Sequence, residues 1–181
     1  MSFELKRKLE YSDLQVTPDD GKRYELVRGE LHVTPSPTPL HQLVSLQLVL
    51  QLVDFFHGRA IGRVLYAPVD LILTNHDVFV PDILVIGDRS GVTRRGIEKR
   101  PLLIVEILSP STSAIDHGVK ARRYAELGVP HYWIVDPERK RLECHRLRRG
   151  TYRPLVEAEG DAVLTHPDWV GLRLDLAALW R

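Results

Sequence analysis

The chain has 181 residues, 44% of them hydrophobic and 27% charged, which suits one domain spanning 1–181 with a buried core and ordinary globular usage. Lysines and arginines number 25 against 24 aspartates and glutamates, a formal net charge of +1; this excludes a histone-like basic binder and a disordered acidic tail but allows a local basic patch. The single cysteine, Cys144, excludes an intrachain disulfide framework and any multi-cysteine zinc site.

In chain order, Arg23–Val27 and Glu30–Val33 flank Arg28-Gly29 and predict a hairpin with a tight turn. Pro35, Pro37 and Pro39 stiffen the connection to the next element. Leu40–Phe56 is long, free of glycine and proline, and apolar most of the way round, so it predicts a well-buried helix stopped by Gly58. Four short apolar runs follow, Val64–Tyr66, Val69–Leu73, Ile83–Ile86 and Leu102–Leu108, bounded by Gly, Pro, Asn and Asp; they read as strands. Gly87–Arg100 between the last two is a polar loop. Ser109–Ser113 reads as a turn, then a helix over Ile115–Leu127, capped by Ser113 or Asp116 and stopped by Gly128 with Pro130 beyond. His131–Val135 predicts a strand, and Arg141–Arg146 with Tyr152–Val156 a hairpin around Arg149-Gly150. Leu172–Trp180 is a short helix or an extended tail. This order predicts an α/β or α+β layered domain with a mixed sheet and one crossover helix. Met1–Glu10 lacks the apolar core of a secretory leader, and no apolar run reaches the roughly 20 residues of a membrane span, so a cytoplasmic setting is expected.

Chemistry is sought where charge is costly. Glu106 sits within Leu102–Leu108, with apolar neighbours on both sides, and a buried ionised carboxylate needs a partner or a cation. Asp82, between Phe79-Val80-Pro81 and Ile83–Ile86, has a similar setting. If their strands are neighbours, the two carboxylates meet at one end of the sheet and repel, and a divalent cation relieves the repulsion. Hard oxygen ligands suit Mg²⁺ or Mn²⁺. Taken singly, Asp82 as a turn cap and Glu106 as the partner of a buried arginine are the more ordinary readings. Asp116, Lys120 and Tyr124 are spaced for one helix face. By spacing alone a surface Asp–Lys pair is the simpler account; the alternative sets Lys120 beside the carboxylates, facing a phosphate oxygen or a water.

Pro81-Asp82, then Glu106 on the next strand, then Lys120, resembles the PD-(D/E)xK nuclease superfamily. More narrowly, the chain resembles the Uma2 restriction-endonuclease family, through Tyr24–Leu31, His41, Pro81-Asp82-Ile83, Pro101–Thr112, Asp116, Lys120, Tyr124 and Gly128–Pro137. The resemblance implies a restriction-endonuclease-like core, a mixed sheet flanked by helices, with an N-terminal hairpin. It implies metal ligation by Asp82 and Glu106 with the carbonyl of Ile107, and a catalytic lysine moved from the position of Leu108 to Lys120. Glu25 and His41 match family positions: Glu25 either completes an acidic cluster or pairs across the hairpin, and His41 either lines the cavity or is satisfied by backbone.

The function expected from this is metal-dependent hydrolysis of a phosphodiester, DNA being the partner. Arg94, Arg95, Lys99 and Arg100 would grip the backbone, unless their loop is merely solvated surface. A homodimer would let two sites act on two strands. The rival is a catalytically inactive nucleic-acid-binding or regulatory module that keeps the fold, with Leu108 as its support. A phosphoesterase of small nucleotides is a further rival. There is no G-x-G-x-x-G after a strand, Walker loop, G-x-S-x-G or H-E-x-x-H. Cys144, Tyr132 and Trp133 read as packing residues.

Overall fold

The apolar runs fold into two layered sheets rather than one. The computed structural model describes residues 7–109 and 116–181, with backbone only at 116 and 117. The larger sheet has the order β10-β9-β8-β7-β6-β3, where β3 is Arg63–Tyr66, β6 Ile83–Ile86, β7 Leu103–Ile107, β8 His131–Asp136, β9 Arg141–Arg148 and β10 Thr151–Glu159. Its neighbours are antiparallel except β7 and β8, which are parallel; the sheet is therefore mixed. The smaller sheet has the order β2-β1-β5-β4, with β1 Arg23–Val27, β2 Glu30–Thr34, β4 Leu71–Thr74 and β5 Asp77–Phe79. A ribbon of β11 (Val163–Thr165) and β12 (Arg173–Asp175) completes the strands.

The large sheet is covered on both faces, which is why its central strands are apolar without alternation. One face carries Ile83, Val85, Leu103, Val105 and Trp133 and packs against Val44, Leu48, Leu52 and Phe56 of α2 (Pro39–Gly58). The other carries Leu84, Ile86, Ile104 and Ile134 and packs against Val27, Leu71, Phe79 and Tyr124. Tyr124 belongs to α3 (Ala121–Glu126), which continues a π-helical turn at Asp116–Lys120 and supplies the crossover between the parallel strands. Short helices α1 (Tyr11–Leu14) and α4 (Leu176–Leu179) lie near the ends.

The N-terminal hairpin forms as read: Arg28 and Gly29 take φ of 56° and 79°, the paired left-handed conformation that matches strand twist. Four expectations are corrected. Leu40, Leu43, Leu46 and Leu50 are 47–55% exposed, so α2 is buried along one side only. The Val69–Leu73 run forms β4 over Leu71–Thr74, and in the smaller sheet. The short strands β5, β11 and β12 escaped the sequence reading because each is only 3 residues long. Within the helix read over Ile115–Leu127, Asp116–Lys120 is a π-helical turn. Ser113, Ile115 and the side chain of Asp116, with the turn at residues 110–113, lie outside the described residues. Trp133 and Tyr132 are core residues, 0% and 1% exposed. Cys144 is buried, its thiol pushed well up by desolvation. Among the described residues no helix is long and apolar enough to cross a membrane.

Candidate active site

Register brings the two acids together. In the β6–β7 ladder Ile83 pairs with Val105 and Leu84 with Ile104; Asp82, just before Ile83, and Glu106, just after Val105, both line one cavity. Both side chains are buried, 4% and 2% exposed, and charges at that depth must be compensated.

Asp82 is held from three elements. Oδ1 accepts from Nη1 of Arg23 on β1 at 2.5 Å. Oδ2 lies 3.1 Å from Nε2 of His41 in the first turn of α2 and accepts from the backbone N–H of Ile107 at 2.8 Å. An ionised carboxylate only accepts, so His41 carries a proton on Nε2. Burial pushes the Asp82 carboxyl up, but the His41 hydrogen bond and charge and the Arg23 guanidinium outweigh it and hold it below the usual value. A strand residue directs its N–H and C=O to the same side, so the Ile107 carbonyl faces the Asp82 side too.

Glu106 is held by the crossover. Lys120 Nζ lies 3.3 Å from Oε1, and the Tyr124 hydroxyl donates to the same oxygen at 3.0 Å. Burial, with the charges of Glu106 and Glu25, pushes the Tyr124 phenol well up, so it stays a donor. Lys120 also reaches Glu25 Oε2 at 2.8 Å, while Glu25 Oε1 accepts from the Val80 N–H at 2.8 Å. Glu25, His41 and Lys120 all line one cavity of ≈ 170 Å³ with Arg23, Asp82, Glu106 and Ile107. The proline-rich segment 34–38 forms one wall.

Arg23 was not read as a site residue. Its signal was spacing: Arg23 and Glu25 are two apart on β1 and so share a face. The basic loop is different. Lys99 pairs with Asp88 at 2.7 Å, Arg95 lies 3.7 Å from Glu98 and its guanidinium sits 4.3 Å above the Tyr11 ring. These internal contacts suit a tied surface loop.

Among the described residues Glu25, Asp82 and Glu106 face two fixed cations, Arg23 and Lys120. The oxygens have the hardness that Mg²⁺ and Mn²⁺ prefer. Among the described residues no group of three or more His, Cys, Asp or Glu side chains gathers as a metal cage, and Arg23 occupies Asp82 Oδ1. A cation would therefore bind two carboxylates and a carbonyl, with Arg23 drawn aside; its side chain is 20% exposed and has solvent to move into.

The mixed sheet thus brings two carboxylates into one cavity, with a lysine from the crossover beside one of them. The family model described as "Uma2: Putative restriction endonuclease" matches residues 9–177, and the chain belongs to that family. No curated protein matches it. A solved structure it resembles is described as a putative nuclease belonging to DUF820 from Anabaena variabilis; the two share 20% identity over 95% of this chain and 97% of that one, with a TM-score of 0.74. That likeness supports the fold, and family membership supports a nuclease.

Proposed function

We propose that the protein is a metal-dependent endonuclease hydrolysing phosphodiester bonds in DNA, with Asp82, Glu106 and the Ile107 carbonyl as ligands of Mg²⁺ or Mn²⁺. The observation that carries this reading is the single cavity lined by Asp82, Glu106 and Ile107, with Lys120 on Glu106. When bound, the ion would lower the pKa of a water and neutralise charge on the phosphate. The chain's own groups do the rest. His41 and the Ile107 N–H orient Asp82, and Tyr124 orients Glu106. Lys120 presents a buried ammonium to the cavity, where a phosphate oxygen gaining charge is stabilised. Arg23, released from Asp82, is free to contact the phosphate. The 181 residues act as one domain, in the cytoplasm, and two copies pair.

A second reading draws on Arg23. A guanidinium seated on Asp82 at 2.5 Å is also what a catalytically inactive nucleic-acid-binding or regulatory module would keep. Plasmid cleavage in Mg²⁺ or Mn²⁺ against EDTA, with Asp82→Asn, Glu106→Gln and Lys120→Ala, separates them. The nuclease reading requires metal-dependent nicking that each variant abolishes. Absence of nicking together with no Mn²⁺ uptake by calorimetry leaves the module.

A further inference from the structure

A second cavity, ≈ 230 Å³, opens beside the first and shares Arg23, His41 and Asp82 with it. Its other walls are different in kind: Gln42 and Leu46 from α2, and Tyr66 from the end of β3. Tyr66 is 64% exposed, and among the described residues it is the only exposed aromatic. Its hydroxyl has no hydrogen-bond partner and its ring no aromatic or cation contact among those residues.

The ring is nevertheless placed firmly. Tyr66 pairs with Ile83 in the β3–β6 ladder, and the next residue, Ala67, donates its N–H to the Asp82 carbonyl at 3.0 Å. Strand alternation puts Tyr66 on the same face as Val64, which packs in the core beneath α2. An unpartnered aromatic ring thus stands on sheet-paired backbone next to Asp82, in a cavity it lines together with Leu46 and Gln42. A flat ring gains most from stacking on another flat ring, and the amide can bond a heterocycle edge.

Resting on the nuclease reading, we infer that this second cavity is a nucleobase subsite: with the scissile phosphate in the first cavity, Tyr66 stacks the adjoining base. A base can enter only when it has left its own stack. The substrate class is therefore single-stranded or locally unpaired nucleic acid, such as a frayed end, in preference to intact duplex.

The test is a fluorescence-anisotropy titration in Mg²⁺ with three labelled probes: a short phosphorothioate-linked oligothymidylate, an abasic chain of the same length and linkage, and a blunt duplex. Wild type, Tyr66→Ala and Tyr66→Phe are compared. Tyr66 is exposed and unpartnered, so both variants should fold as wild type does, which circular dichroism checks. Tyr66→Ala is expected to weaken oligothymidylate binding about tenfold. Tyr66→Phe should stay within about twofold, because the ring is kept. Binding of the abasic chain should not change, and wild type should bind the single strand more tightly than the duplex. Equal oligothymidylate affinity for wild type and Tyr66→Ala overturns the subsite, and so does an equal loss on the abasic chain. If wild-type plasmid nicking persists in either case, the nuclease reading stands alone. A Tyr66-dependent single-strand preference without nicking keeps the subsite and overturns the nuclease. If wild type binds no probe, both fall.

Discussion

Lys120→Met removes the one side chain seen bridging two buried acids. Nζ lies 2.8 Å from Glu25 and 3.3 Å from Glu106, and the three residues are 4%, 0% and 2% exposed. Methionine fills much of the same space but takes the ammonium away from both Glu25 and Glu106. Breaking a buried ion pair from one side costs about 3–5 kcal/mol, which in a chain of this size lowers Tm by roughly 6–20 °C. Glu106→Gln works the other way. It removes one of three acids, leaves the remaining charges balanced, and keeps an oxygen for the Tyr124 hydroxyl, so its cost should stay within about 1 kcal/mol. The double variant should be more stable than Lys120→Met alone, because one of the two acids that shared the ammonium has gone. Urea unfolding near neutral pH in EDTA, read by Trp fluorescence, measures all three. A Lys120→Met variant within about 1 kcal/mol of wild type would refute the bridging role.

Arg23→Ala withdraws the cation on Asp82 Oδ1; Mn²⁺ affinity by calorimetry should tighten on the order of tenfold, whereas unchanged affinity means Arg23 does not compete with the ion. Asp77 is 0% exposed; burial pushes its carboxyl up, but Arg123, the Thr74 hydroxyl and the Arg28 N–H outweigh that and hold it low. Asp77→Ala should therefore cost about 3–5 kcal/mol in urea unfolding, and a cost under about 1 kcal/mol would mean that Arg123 finds another partner. His166, 1% exposed, is brought down to about 4 by burial and then by the charge of His131, with Arg146 adding to this and Asp168 opposing it. Its unfolded value is higher, so the unfolded chain takes the proton first as pH falls. Stability is full above about pH 6.5, and up to about 3 kcal/mol is lost on the way down to about pH 4. His166→Leu should flatten that part of the pH–stability curve; an unchanged slope assigns it elsewhere.

Much of the site is legible in the chain because its costs are local. An acid amid Leu-Ile-Val residues, or directly after a proline at a strand start, is conspicuous without any knowledge of pairing. That these two acids share a cavity required only that two consecutive strands be antiparallel neighbours, as they are. Lys120 is different. Its spacing to Asp116 suits a surface pair equally well, and only the crossover's packing buries it to 4% exposure. Arg23 belongs to the smaller sheet, and the meeting of that sheet with the larger one is a long-range fact that hairpin chemistry does not encode. The same limit explains α2. Composition wraps apolar residues around the helix, but there is cover for one side only, and Leu43 and Leu50 stay exposed at 53% and 55%. Short strands such as β5 carry too few residues for a period to show.

The central claim is that Asp82 and Glu106 hold a divalent cation in common. The most direct measurement is anomalous diffraction from crystals soaked in Mn²⁺. The account predicts a peak within coordination distance of both carboxylates and the Ile107 carbonyl, with the Arg23 guanidinium moved off Asp82. A cavity without such a peak at saturating Mn²⁺, and Arg23 still seated on Asp82, would contradict it.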